Sequence, residues 1–266
     1  MSAPRARKRF GQHFLVDPSV IVRIVDAVAP RKEDVLIEIG PGRGAITGSL
    51  ARSGARLYAL ELDRDLAARL RQDFAGAENI SIVEADALRF DFASIGGALR
   101  VVGNLPYNIS TPLLFRMIGY RHVLSDAHFM LQKEVADRLA ASPGGKAYGR
   151  LTVMLGCRMS VEPLFDVPPE AFNPPPKVTS TVVRLRPRPA GEIRILDEAL
   201  MSRLVTQAFS LRRKTMRNAL KGQVAQEDLD AAGIDPAARP ETIPIGAWVT
   251  LSNRLAHNCA SEPAPR

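Results

Sequence analysis

DVLIEIGPGRG, Asp34 to Gly44, decides the fold. A short run of branched apolar residues that stops at glycines reads as a strand buried on both faces. The turn that follows places residues as Glu38-x-Gly40-x-Gly42-x-Gly44. Glycine is needed where the backbone takes positive φ or closely approaches a ligand. Working outward, a helix is expected from about Ala45 to Arg52, then the strand RLYALELD and the helix RDLAARLRQDF. ISIVEAD and LRVVGN give two more strands, TPLLFRMIG a helix, and AHFMLQKEVADRLA a strand running into a helix. Upstream, DPSVIVRIVDAV has an N-cap Asp17, Pro18 in the first turn and apolar residues at helical spacing. Strands alternating with helices of this length imply parallel pairing through right-handed crossovers. The expected fold is an α/β, doubly wound, mostly parallel sheet with helices on both faces.

After Pro143 the texture changes. GRLTVMLGCRMSVEPLFDV reads as a helix or strand feeding a further strand, and STVVRLRPR as an alternating strand. The proline-rich PPEAFNPPPKV between them is expected to lack regular structure. RPRPAGE marks a boundary, and from Leu196 to His257 the pattern is helical. Two domains are expected, residues 1–189 and a small all-α domain over 190–266, which suits a chain of 266 residues. No apolar run approaches the ~20 residues that a membrane helix needs, and MSAPRARKRFGQHFL lacks the apolar core of a secretory signal. Two distant cysteines and four scattered histidines form neither a disulfide framework nor a metal-ligand pattern. A cytoplasmic, monomeric protein without metal is expected.

Charge is unevenly placed. The net charge is +8, yet Arg5, Arg7, Lys8 and Arg9 crowd the first ten residues without an acid. From Arg184 to Lys221 there are ten basic residues and three acidic ones. Two basic blocks on an otherwise slightly acidic chain fit either a polyanion footprint or a solvated face with a basic tail.

The acids after the glycine turn narrow the ligand. A dinucleotide fingerprint asks for glycine at position 45, where Ala45 stands. E-x-G-x-G-x-G is the form of class I methyltransferases with their Rossmann-like fold. Glu61 ends the second strand of this series, 21 residues beyond Gly40, where a carboxylate can accept from both ribose hydroxyls. Asp86 ends the third, where it can meet an adenine amine. Taken singly, each acid could be a helix cap or a surface residue. Three signals at three successive strand ends, all on the carboxyl edge, point to S-adenosylmethionine.

The fourth strand ends in VVGNLPYNIS, Val101 to Ser110. NLPY has the form of the Asn/Asp/Ser-x-Pro-aromatic motif of enzymes that methylate ring-conjugated amines. The lone pair of an adenine N6 is delocalised into its ring, so the amine is a poor nucleophile. The Asn104 side-chain oxygen and the Leu105 carbonyl can accept its two hydrogens. Pro106 fixes the turn, and Tyr107 offers a face for a splayed base, worth about 1–3 kcal/mol by stacking.

At this point the chain resembles the ribosomal RNA adenine N6,N6-dimethyltransferases over almost its whole length, most closely their bacterial small-subunit branch. The likeness is carried in order by KRFGQHFLVD, IEIGPGRGAIT, ALELD, VEADAL, GNLPYNISTPLLF, AFNPPPKVTSTVVRL and AFSLRRKTMRNAL. It implies that His13, Leu15, Gly40, Gly42, Glu61, Asp86 and Asn104 hold the cofactor, His13 standing where many members carry Asn. It implies further that Tyr107 and Phe172 hold the target base; without it, Phe172 reads as a core residue. Arg212, Arg213, Lys214 and Arg217, at helical spacing, are expected to meet phosphates, as is the N-terminal basic run. The implied substrate is two adjacent adenosines near the 3′ end of small-subunit rRNA in an immature particle. Three rivals remain: a large-subunit methyltransferase of the macrolide-resistance type, which RRKTMRN disfavours; a mainly non-catalytic assembly factor; and a DNA adenine methyltransferase, which the lack of a recognisable DNA-reading module disfavours.

Overall fold

The structure, a computed structural model, describes residues 12–261, with side chains as far as Asn258. The basic run Arg5, Arg7, Lys8 and Arg9 lies outside the described residues. The chain divides into two compact units. One runs to Ala136 and resumes over Ser160–Pro187; the other holds Asp137–Met159 and the chain from Arg188 onward.

In the first unit, β1 (Phe14–Leu15) leads into α1 (Pro18–Val28). Then come β2 (Val35–Ile39), α2 (Thr47–Ala51), β3 (Arg56–Glu61), α3 (Arg64–Asp73), β4 (Ile80–Glu84) and β5 (Leu99–Asn104). α4 (Ser110–Gly119) and β6 (Leu124–Gln132) follow, and β6 runs directly into α5 (Lys133–Leu139). The sheet order is β4-β3-β2-β5-β6-β9-β7, with β7 at Met159–Val167 and β9 at Ser180–Pro187. β2, β3, β4, β5 and β6 pair in parallel, and β9 joins β6 antiparallel. α1 begins as its sequence requires: the Asp17 carboxylate accepts from Ser19 N at 2.8 Å and Val20 N at 3.4 Å. Val20, Ile24 and Val28 of α1 pack with Leu36, Leu57, Val102, Met130 and Val182 on one face of the sheet. Ile37 and Ile39 are as deeply buried and point to the other side, so both faces are covered.

Three elements depart from the sequence expectation. PPEAFNPPPKV is not irregular throughout: Pro169–Ala171 is a 3-10 turn, and β8 (Phe172–Asn173) pairs antiparallel with β1, Leu15 opposite Phe172. Phe172 and Asn173 stand between Pro169 and Pro174 and keep their own N–H groups, and a residue before proline is biased to extended backbone, which suits a strand. Secondly, Arg212, Arg213 and Lys214 occupy a turn between α7 (Glu198–Ser210) and α8 (Met216–Ala219); only Arg217 is helical. Thirdly, one boundary near Pro189 does not describe the division, because Asp137–Met159 belongs with the later helices. There α6 (Arg150–Gly156) and the residues around it place Tyr148, Val153 and Cys157 in a core with Met201, Leu204 and Trp248. The Tyr148 hydroxyl donates to Ile243 O at 2.8 Å, closing that core onto the segment before α10 (Ile245–Ser261). α9 (Gln226–Ala231) completes the helical unit.

Candidate active site

The carboxyl ends of β2, β3, β4 and β5 open onto one cavity of about 1170 Å³, including its mouth. Residues Gln12 to Leu15, the glycine turn, the chain after β3 and β4, and Asn104 to Ile109 line it. Gly40 and Gly42 have φ of +68° and +60°. A Cβ on Gly42 would stand 3.1 Å from the Phe14 ring, so glycine there serves both the turn and the approach of β1. The Glu61 carboxylate accepts from Gly42 N at 3.0 Å and from Asp63 N at 2.9 Å. These bonds tie the end of β3 to the turn after β2. Burial raises the Glu61 pKa, and the two N–H donors oppose that rise.

Glu38 belongs to the cavity as well. Its place in the E-x-G motif is the signal, although the sequence reading does not count it among the cofactor ligands. It is 2% exposed, and among the described residues its Oε2 has no hydrogen-bond partner. Burial pushes its carboxyl up to about 7; the Thr47 hydroxyl works against that shift and the Glu61 charge adds to it. Such a carboxyl fits a site completed by a cation.

On β5, Gly103 sits opposite Ile39. A methyl group in place of its hydrogen would stand 2.9 Å from both Ile39 O and Leu105 Cδ2. Gly103→Ala is therefore expected to cost about 1–3 kcal/mol in urea unfolding, because main chain and core must both yield. Asn104 follows, and its Nδ2 donates to His13 O at 3.1 Å. Leu105 is 1% exposed, and Pro106 O accepts from Ile109 N at 3.1 Å, closing the turn. Tyr107 is half-buried; its hydroxyl bonds the Ser180 hydroxyl at 2.8 Å, and its ring stacks on His13 at 5.9 Å between centroids. Ser180 carried no signal in the sequence beyond its strand.

His13, Leu15, Gly40, Gly42, Glu61, Asp86, Asn104, Leu105, Pro106 and Tyr107 all line the cavity. Asp86 stands two residues beyond β4 rather than at its end, and its carboxylate accepts from Leu88 N at 2.8 Å. Phe172 does not line it: 3% exposed, its side chain packs in the core with Leu15, Val20 and Ile24. Its main chain pairs with Leu15 of β1, itself a residue of the cavity lining.

In the helical unit the four expected cations separate into two kinds. Arg212 pairs with Glu241 and donates to Lys146 O at 2.7 Å, while Arg213, Lys214 and Arg217 are exposed. Arg212→Ala is accordingly expected to lower thermal stability. Neutralising Arg213, Lys214 and Arg217 together is expected to flatten the salt dependence of RNA binding by about 0.7 in slope for each phosphate left without its cation.

Comparison with known proteins gives the family and the fold. Residues 3–257 match the family model described as ribosomal RNA adenine dimethylase. A Chromobacterium violaceum protein named ribosomal RNA small subunit methyltransferase A is 54% identical over 256 residues, covering 96% of this chain and 97% of its own. Among solved structures, a dimethyladenosine transferase from Plasmodium falciparum superposes with a TM-score of 0.82 at 25% identity, over 93% of this chain and 98% of its own. A 23S rRNA methyltransferase, ErmE, gives 0.72 at 27% identity, over 91% and 99%.

Proposed function

Because this chain belongs to the ribosomal RNA adenine dimethylase family, we propose that it methylates N6 of two adjacent adenosines near the 3′ end of small-subunit rRNA, giving N6,N6-dimethyladenosine. The methyl donor in this reading is S-adenosylmethionine. One observation carries it: four neighbouring strand ends bring the glycine turn, Glu61, Asp86 and Asn104 to a single cavity. Four carboxylates, Glu38, Glu61, Asp63 and Asp86, line that cavity against one guanidinium, Arg43, an acidic excess that favours a cationic ligand and disfavours the pyrophosphate of a dinucleotide.

S-adenosylmethionine, when bound, supplies an electrophilic methyl group on a sulfonium. The protein's own residues do the rest by alignment. In this reading Glu61 would accept from the ribose hydroxyls and Asp86 would meet the adenine amine, while the glycine turn would let the main chain approach the cofactor. Asn104 Oδ1 and the Leu105 carbonyl accept the two amine hydrogens, which directs the nitrogen lone pair toward the methyl group. Tyr107 holds the base by stacking. Orienting the amine toward that methyl group would supply the rate, and no strong base would be required, because the ammonium formed by the transfer can lose its proton to solvent afterwards.

The partner that suits this chemistry is an immature small subunit, whose unpaired adenines leave their stack at low cost. Arg213, Lys214 and Arg217 supply phosphate contacts that position the particle without reading sequence. The fold shared with ErmE keeps a large-subunit target as the second reading, and the names of the relatives near 50% identity favour the small subunit.

The test uses small subunits from cells lacking this gene, purified protein and labelled S-adenosylmethionine, with nucleoside mass spectrometry of the digested rRNA. N6,N6-dimethyladenosine in the small-subunit rRNA is the expected result. Tight, salt-sensitive binding without methyl transfer would instead make the protein an assembly factor.

A further inference from the structure

Asn104 makes a contact that an amine clamp does not by itself require. Its Nδ2 donates to the main-chain carbonyl of His13 at 3.1 Å. A carbonyl oxygen only accepts, so only the NH2 end of the amide can face it, and Oδ1 is turned the other way. That carbonyl is itself held in place. β1 pairs with β8, and His13 Nδ1 donates to Pro174 O at 2.8 Å. The Phe14 ring lies against Gly42, and the Arg43 guanidinium sits 4.3 Å above that ring.

We infer that the His13 carbonyl is a positioning group: it fixes the Asn104 amide with Oδ1 presented to the target amine, and it makes residue 104 of this chain an obligatory donor as well as an acceptor. The inference rests on Asn104 belonging to the amine clamp. It accounts for the choice among Asn, Asp and Ser, all of which the motif class admits. A carboxylate is the stronger acceptor for amine hydrogens and, on clamp chemistry alone, would serve at least as well. Here it would bring a second acceptor against the His13 carbonyl, with no hydrogen between them. A serine hydroxyl is shorter but can donate to His13 O and still accept.

The experiment compares N104D, N104S, N104A and F14A as full-length proteins, each shown by thermal unfolding to be folded. Methyl transfer to unmodified small subunits is measured at saturating S-adenosylmethionine, with kcat and KM for the particle determined separately. N104D is expected to lose about 100-fold in kcat, with the particle KM nearly unchanged, and to be slower than N104S. F14A keeps the amide but loosens β1, and is expected to lose about tenfold in kcat. In the N104D background it should cost less than in the wild type, because the opposed oxygens can then separate. An N104D enzyme that matches the wild type or outpaces N104S overturns the inference, as does an unchanged kcat in F14A. Full activity in N104A is a separate outcome: it removes the amine clamp itself, and the inference with it.

Discussion

Arg100→Ala is expected to lower the unfolding free energy by about 3–5 kcal/mol, the loss typical of stripping one partner from a buried ion network. Arg100 side-chain exposure is 15%, and it meets Asp34 at 2.7 Å and Asp126 at 2.9 Å. Its NH2 also donates to Val28 O at 2.6 Å, the last residue of α1. One guanidinium thereby joins the end of α1, the loop before β2, and strands β5 and β6. Removing it leaves two carboxylates without a counter-charge and a helix carbonyl without its donor. Lysine does not replace it, since a single ammonium lacks the planar fork that serves these partners together. Urea unfolding of Arg100→Ala and Arg100→Lys measures this. A loss under 1 kcal/mol in both would mean that solvent already screens the pair, as at exposed ion pairs.

Glu38→Gln is expected to stabilise the ligand-free protein at pH 8 by about 3 kcal/mol and to change it little at pH 4. At pH 4 the Glu38 carboxyl is protonated in most of the folded and unfolded chains alike. Above 4.5 the unfolded chain ionises first, and the folded chain, with its carboxyl raised to about 7, increasingly lags behind it. Stability therefore falls as pH rises through this window and has lost the full amount above 7. A cationic ligand reverses the sign, because it supplies the charge that the buried carboxylate lacks. S-adenosylmethionine is expected to bind the wild type more tightly at pH 8 than at pH 6, and Glu38→Gln is expected to abolish that difference. Urea unfolding and equilibrium dialysis at the two pH values read both effects. Equal stability of the two proteins at pH 8 would show that Glu38 carries no unpaired charge in the folded chain.

Much of the candidate active site is written along the chain. β2 and its glycines, Glu61 at the end of β3, and Asn104 through Tyr107 after β5 are each contiguous, and local chemistry suffices to read them. A buried parallel strand must be apolar, and a turn with positive φ calls for glycine. The order of these segments then follows from the crossover rule, which sets successive strand ends along one edge. Asp17 and Pro18 likewise announce α1 without help from any distant residue.

What the chain alone leaves open lies in contacts between distant segments. Phe172 is a core residue because β8 pairs with β1, although 157 positions separate it from Leu15. Arg212 is tied to Glu241 while its neighbours are free to meet solvent, a distinction invisible in RRK. The helical unit reaches back for Tyr148 and Val153 because their apolar faces fit its core, whatever their place before β7. Sequence determined the strands, the glycine turn and the residue types at the cavity, since those follow from periodicity, backbone freedom and charge within a few residues. Tertiary structure alone decided which polar groups are already satisfied and which are left for a ligand. Glu38 Oε2 without a partner, Asn104 bonded to His13 and Tyr107 bonded to Ser180 are facts of close approach between segments far apart in the chain, and no local pattern encodes them.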